Sequence, residues 1–108
     1  MNIADIRASS EEFHLLETTG RTQTATMTLN PGAATSDKLE HHPHSDQVVL
    51  VLEGELAAEV GEERTLLKTG QSLIVPASVP HRFKNDGLRR AFAFTVYGPP
   101  AYQTDDPT

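Results

Sequence analysis

The 108-residue chain has no cysteine, which excludes disulfide cross-links and thiolate metal ligands and fits a reducing compartment. Basic residues are scarce, nine Lys and Arg against fifteen Asp and Glu, for a net charge of −6. A protein that grips nucleic acid needs a basic stripe, and no basic run occurs here. No apolar stretch approaches the roughly 20 residues that span a bilayer, so a membrane partner is not expected. Met1-Asn2-Ile3-Ala4-Asp5-Ile6-Arg7 lacks the charged-then-apolar pattern of a leader, and a cytoplasmic protein is the expectation. Internal repeats and convincing amphipathic helices are absent as well. What remains is one domain with one hydrophobic core, independent of covalent or metal staples.

Short apolar segments punctuated by Gly and Pro fill that space, and they read as strands of an all-β sandwich or barrel. Residues 1–10 form an arm with room for one helical turn. Phe13 to Glu17 is a first strand, and Thr22 to Leu29 alternates with β-branched threonine as a second. Asn30-Pro31-Gly32 ends it, and Ala33 to Glu40 is a polar connection. Val48 to Leu52 is unbroken aliphatic sequence, as expected of a strand covered on both faces. Leu56 to Val60 and Arg64 to Leu67 form a hairpin around Gly61-Glu62-Glu63. Leu73 to Val75 stops at Pro76, His81 and Phe83 share a strand face, and Asn85-Asp86-Gly87 predicts a second hairpin turn before Ala91 to Tyr97. The barrel domain is bounded at 11–100, and 101–108 reads as a polar, disordered tail.

Three of the five histidines fall in His41-His42-Pro43-His44, just ahead of the aliphatic run. Extended backbone alternates its side chains, so His42 and His44 would share a face that His41 avoids. Two neutral imidazoles on one face are half of a transition-metal site. The competing reading is a solvated loop. His14 stands far from this group and reads as structural or exposed.

Spacing downstream strengthens the metal reading. Gly70, Pro76, His81 and Asn85 resemble the second motif of the cupin superfamily, G-x5-P-x-G-x2-H-x3-N, with Ser78 in place of its second glycine. His42, His44 and Gly54 resemble the first, G-x5-H-x-H-x3,4-E-x6-G, with Gln47 where that motif has glutamate. The resemblance implies a single-domain jelly roll, a double-stranded β-helix barrel. It brings His81 beside His42 and His44, and implies a divalent transition metal (Zn, Fe, Mn or Ni). Only two residues separate His44 from Gln47, which puts Gln47 out of alternation with the histidines. A β-bulge would return it inward; without one, Asp46 has the inward parity, and water is the third candidate for the fourth ligand.

A glutamine ligand, unlike a glutamate, leaves the ion its full charge and makes it the stronger Lewis acid. Met27, Leu50, Phe83, Phe94 and Tyr97 are candidates for the pocket wall. The functional expectation is a metal-dependent oxygenase or isomerase acting on a small organic substrate. The alternatives are a non-enzymatic module holding a sugar or other small ligand, and a cupin whose metal site has been lost at Gln47. Exposed sheet edges and the habits of similar proteins imply a homodimer through the N-terminal strands.

Overall fold

The computed structural model describes residues 1–103, and its elements are eight β-strands with no helix among them. In chain order they are β1 (Phe13–Thr18), β2 (Gln23–Leu29), β3 (Asp46–Glu53), β4 (Glu55–Val60), β5 (Glu63–Lys68), β6 (Ser72–Val75), β7 (His81–Lys84) and β8 (Ala91–Gly98). One sheet has the order β1-β2-β8-β3-β6 and the other β5-β4-β7, and every pairing is antiparallel. No helix among the described residues is long and apolar enough to cross a membrane.

Alternation along the strands builds the core. From the large sheet Ala25, Met27 and Leu29 point inward, in register with Thr95, Ala93 and Ala91 on β8 and flanked by Val49 and Val51 on β3. From the small sheet Leu56, Ala58, Leu67 and Phe83 face them. Burying each of the larger side chains contributes about 1.5–3 kcal/mol, which is why the two sheets close on each other. The small residues of β8 let bulky neighbours interdigitate across the sandwich.

Two expectations need correction. The Val48–Leu52 run is covered on one face only: Val49 and Val51 are fully buried, whereas Val48, Leu50 and Leu52 alternate with them and stay partly exposed. The Asn85-Asp86-Gly87 turn does not make a hairpin, because β7 pairs with β4 and β8 pairs with β2 and β3. It is a corner that carries the chain from one sheet to the other. The N-terminal arm makes a single turn, with Ala8 N donating to Asp5 O, and forms no helix. Its Arg7 lies 4.2 Å from the Phe92 ring centroid and pairs with Glu53 at 2.6 Å, fastening the arm to the outer face of the large sheet. Both partners are exposed, so solvent screens the pair and it adds little to stability.

Candidate functional site

One end of the sandwich holds a cavity of about 180 Å³ between the two sheets. His81, the first residue of β7, projects into it and is 5 % exposed. Its backbone exchanges two hydrogen bonds with Glu40, at 2.7 and 2.8 Å, so the polar connection before the histidine cluster is stitched to β7. The ring Nδ1 lies 3.0 Å from the carbonyl of Val79. A carbonyl can only accept, so this contact places a proton on Nδ1, and in the neutral ring Nε2 is then the acceptor.

His42 reaches the same cavity from the connection ahead of β3. Its carbonyl accepts from Ser78 N at 2.8 Å, and the Ser78 hydroxyl donates to Pro43 O at 3.3 Å. Ser78 adopts φ 71°, the left-handed region, which explains why the resembling motif carries glycine there. The His42 ring lies 5.0 Å from that of His81 and 5.2 Å, edge-on, from Tyr97. Burial lowers its pKa below the ordinary histidine value; His81 and His41 lower it further, while Glu40 acts the other way.

Gln47 opens the inward row of β3, in register with Tyr97, and the one register shift of that pairing lies further on, between Val51 and Glu53. Its Nε2 donates to Thr95 Oγ1 at 3.0 Å and to Tyr97 Oη at 3.2 Å. Thr95 spends its one hydroxyl proton on Val48 O at 2.9 Å, so Oγ1 must accept from the amide, and the amide orientation is fixed. The result is a Gln47 side chain, 2 % exposed, whose Oε1 has no partner. An unmatched buried acceptor costs about 1–3 kcal/mol, so this atom is poised for a donor or a cation.

Tyr97 and Tyr102 pack against His42, and burial holds both phenol pKa values above their ordinary range, so each is a neutral hydroxyl at physiological pH. Tyr102 belongs to the segment assigned to the tail. It is held because the Gln23 amide, fully buried, donates to Tyr102 O and accepts from the N–H groups of Ala101 and Tyr102. Residues 104–108 of that assignment lie outside the described residues. Met27, Leu29, Phe13 and Phe83 supply the apolar wall, and Thr35, Glu12 and Glu40 complete the lining.

Of the residues singled out from sequence, His42, His81, Gln47, Met27, Phe83 and Tyr97 meet here. His44 does not: strand β3 begins only at Asp46, the chain turns at Pro43-His44, and His44 is exposed. Strand alternation has no meaning in a turn, and that is why the shared face of His42 and His44 is not realised. Leu50 and Phe94 pair with each other on the outward parity of the large sheet. Asp46 is exposed and accepts from Ala77 N at 2.8 Å, away from the lining. Among the described residues no group of three His, Cys, Asp or Glu side chains stands ready to hold a metal. The residues sequence reading missed are Glu12, Phe13, Leu29, Thr35, Glu40 and Tyr102. Only Tyr102 left a trace, as an isolated aromatic in a polar segment.

Residues 25–97 match the family model described as a cupin domain. The chain belongs to the cupin family. It is 34% identical over 77 residues to Protein SchB of Streptomyces halstedii, covering 71% of this chain and 54% of that protein. To Polyketide synthase CurC of Streptomyces cyaneus it is 36% identical over 63 residues, covering 58% and 40%. This cupin therefore spans about half the length of these curated relatives, or somewhat less. Among solved structures it superposes on TT1209 of Thermus thermophilus with a TM-score of 0.81 at 31% identity, over 92% of this chain and 98% of that one. An RmlC-like cupin with a double-stranded β-helix fold from Methanocaldococcus jannaschii gives 0.80 at 18% identity, over 92% and 91%, a likeness of fold alone.

The direction of the His42 shift predicts a pH dependence. The unfolded chain titrates near 6.5 and the folded one lower, so the neutral ring's contribution is fully present above about 6.5 and is lost as pH falls through the folded value. Urea midpoints should drop between pH 7.5 and 5.5 in the native protein and drop less in His42→Asn. Parallel pH curves for the two proteins would remove His42 from this account.

Proposed function

We propose that this cupin binds a divalent transition metal through His42, His81 and Gln47, and that the metal serves an isomerase- or oxygenase-type reaction on a small organic substrate. The observation that carries the reading is the orphaned Oε1 of Gln47, fixed in place in a cavity shared with two imidazoles, one of which has a free Nε2. These donors fit a borderline ion: two neutral nitrogens and one neutral oxygen, with no anion to cancel its charge. When bound, such an ion supplies Lewis acidity to a carbonyl or hydroxyl of the substrate. The chain itself supplies the rest. Val79 holds His81 in the required tautomer, Thr95 and Tyr97 hold the amide, Tyr97 and Tyr102 present neutral phenols, and Met27, Leu29 and Phe83 keep water from the wall. The names of relatives, a polyketide synthase and a xanthan biosynthesis protein, support a small-molecule role in biosynthesis. A second reading, a binding module without catalysis, is favoured by the neutral Gln47 where the family motif has an anionic ligand.

Gln47→Glu tests the metal reading. In chelator the variant should melt below the native protein, because a carboxylate is then buried with no cation beside it and cannot donate to Thr95 Oγ1 as the amide does. With Zn²⁺ it should recover, and it should retain the ion roughly tenfold longer under chelator challenge, about 1.4 kcal/mol of added affinity. Equal zinc retention in both proteins, with the melting deficit uncorrected by metal, would remove Gln47 from the coordination sphere.

A further inference from the structure

Beside the hydroxyls of Thr35, Tyr97 and Tyr102, the cavity leaves four acceptor groups unused. Gln47 Oε1 is buried without a partner, and the Nε2 of His81 carries a free lone pair. Two carboxylates, Glu12 and Glu40, stand on exposed positions of the lining. Among the described residues no Lys or Arg lines the cavity. The charge of Glu40 is felt inside, where it bears on His42, Tyr97 and Tyr102. A carboxylate or phosphate entering here would meet two like charges at the mouth and no Lys or Arg to offset them.

Size and wall chemistry narrow the occupant further. A cavity of about 150 Å³ is enough to hold benzene, and this one measures about 180 Å³. Its wall brings Tyr97 and Tyr102 into edge contact, with centroids 5.3 Å apart, and Phe13 lies 4.9 Å from Tyr102. Rings at such spacings receive a further flat ring in stacked or edge-on geometry.

We propose that the cavity selects an uncharged, single-ring aromatic compound that presents a hydrogen-bond donor to Gln47, and that Glu12 and Glu40 exclude the anionic counterparts. The proposal rests on the reading that this cavity is the ligand site and concerns its metal-free form, in which Gln47 Oε1 is open to a ligand's donor instead of an ion. Selectivity of this kind separates neutral phenols and aromatic amides from aromatic acids of the same shape.

The test uses benzamide and benzoate, which match in shape and differ in charge, with resorcinol as the hydroxyl probe. Each is titrated into the full chain in chelator and followed by amide chemical shifts. Benzamide and resorcinol should bind with Kd on the order of 1 mM, as fragments of this size do, and shift Phe83, Tyr97 and Tyr102. Benzoate should bind at least tenfold more weakly. Glu12→Gln combined with Glu40→Gln, both at exposed positions, should bring benzoate within about twofold of benzamide. Gln47→Leu should weaken benzamide and resorcinol about fivefold or more, and Gln47→Met serves as the volume-matched check should the leucine variant fail to fold. Benzoate binding as tightly as benzamide to the native protein overturns the proposal. So do shifts confined to residues outside the cavity, an unchanged ratio in the double variant, or no benzamide binding below about 20 mM. Because chelator is present throughout, failure of the metal reading leaves these outcomes intact, and the Gln47→Glu zinc experiment is in turn indifferent to benzamide.

Discussion

Gly54→Ala is expected to destabilise this cupin by about 3 kcal/mol or more, enough to remove much of a typical domain's margin. Gly54 joins β3 to β4, where the chain leaves the large sheet for the small one. It holds φ at +69°, and a Cβ there would stand 2.7 Å from the carbonyl oxygen of Arg90 and 3.1 Å from the Cα of Ala91. Both obstacles are backbone at the start of β8, and Ala91 is itself a core residue, so neither can swing aside as a side-chain tip could. The dihedral cost of about 1–2 kcal/mol for a left-handed alanine is therefore joined by an overpacking cost of about 1–3 kcal/mol. Gly70→Ala isolates the first part: its φ is +85°, and nothing lies within 4 Å of the added carbon. Urea unfolding of both variants measures the difference. If Gly54→Ala costs no more than Gly70→Ala, the close approach of β8 is not what requires glycine at this corner.

Asn85→Ala should cost about 2–4 kcal/mol, from three hydrogen bonds broken in a place water does not reach. Asn85 is 1 % exposed, and its Nδ2 donates to Leu29 O at 2.8 Å and to Arg89 O at 2.7 Å, while its Oδ1 accepts from Gly87 N at 2.9 Å. The bond to Leu29 O ties the end of β7 to the end of β2, one strand from each sheet, and so fixes the spacing between the walls that carry Phe83 and Leu29, while the other two brace the turn that follows β7. Asn85→Asp is the sharper variant. A carboxylate keeps the bond to Gly87 N but faces two carbonyls with no proton to offer, so it should fold no better than alanine and should improve as acid protonates it. A thermal denaturation series from pH 7.5 to 4.5 reads this out. Native-like melting of Asn85→Asp at neutral pH would show that the two carbonyls find other donors.

The roles of these two residues differ in how far they were readable beforehand. Glycine at 54 and asparagine at 85 sit at intervals that match the family motifs, and the family match over 25–97 agrees with that reading. Their reasons were not readable: Asn-Asp-Gly is a strong local hairpin signal, and only the partners of β7 and β8 make it a corner. The same holds for Gln47. Counting from the histidines required a bulge to turn it inward, yet the histidines lie outside the strand, and Gln47 faces the cavity through plain alternation from Asp46.

Composition and period were sufficient for what depends on local physics. Alternating and short apolar segments specify strands because a pleated chain must bury one face, and punctuation by Gly and Pro specifies where they stop. Missing cysteine excludes disulfides and thiolate ligands without any fold at all. Tertiary structure alone decided which residues meet. Tyr102 has no local pattern and enters the cavity because the buried Gln23 amide captures its backbone from 79 residues away. His44 leaves because a turn at Pro43-His44 breaks the alternation that would have paired it with His42. Glu12 and Glu40 are ordinary acids in polar connections. Among the described residues they become the only Asp, Glu, Lys or Arg side chains lining the cavity, because β1 and β7 bring their ends to one rim. Strand formation follows from neighbours in sequence, whereas a site depends on long-range register, and register is settled by which faces pack together.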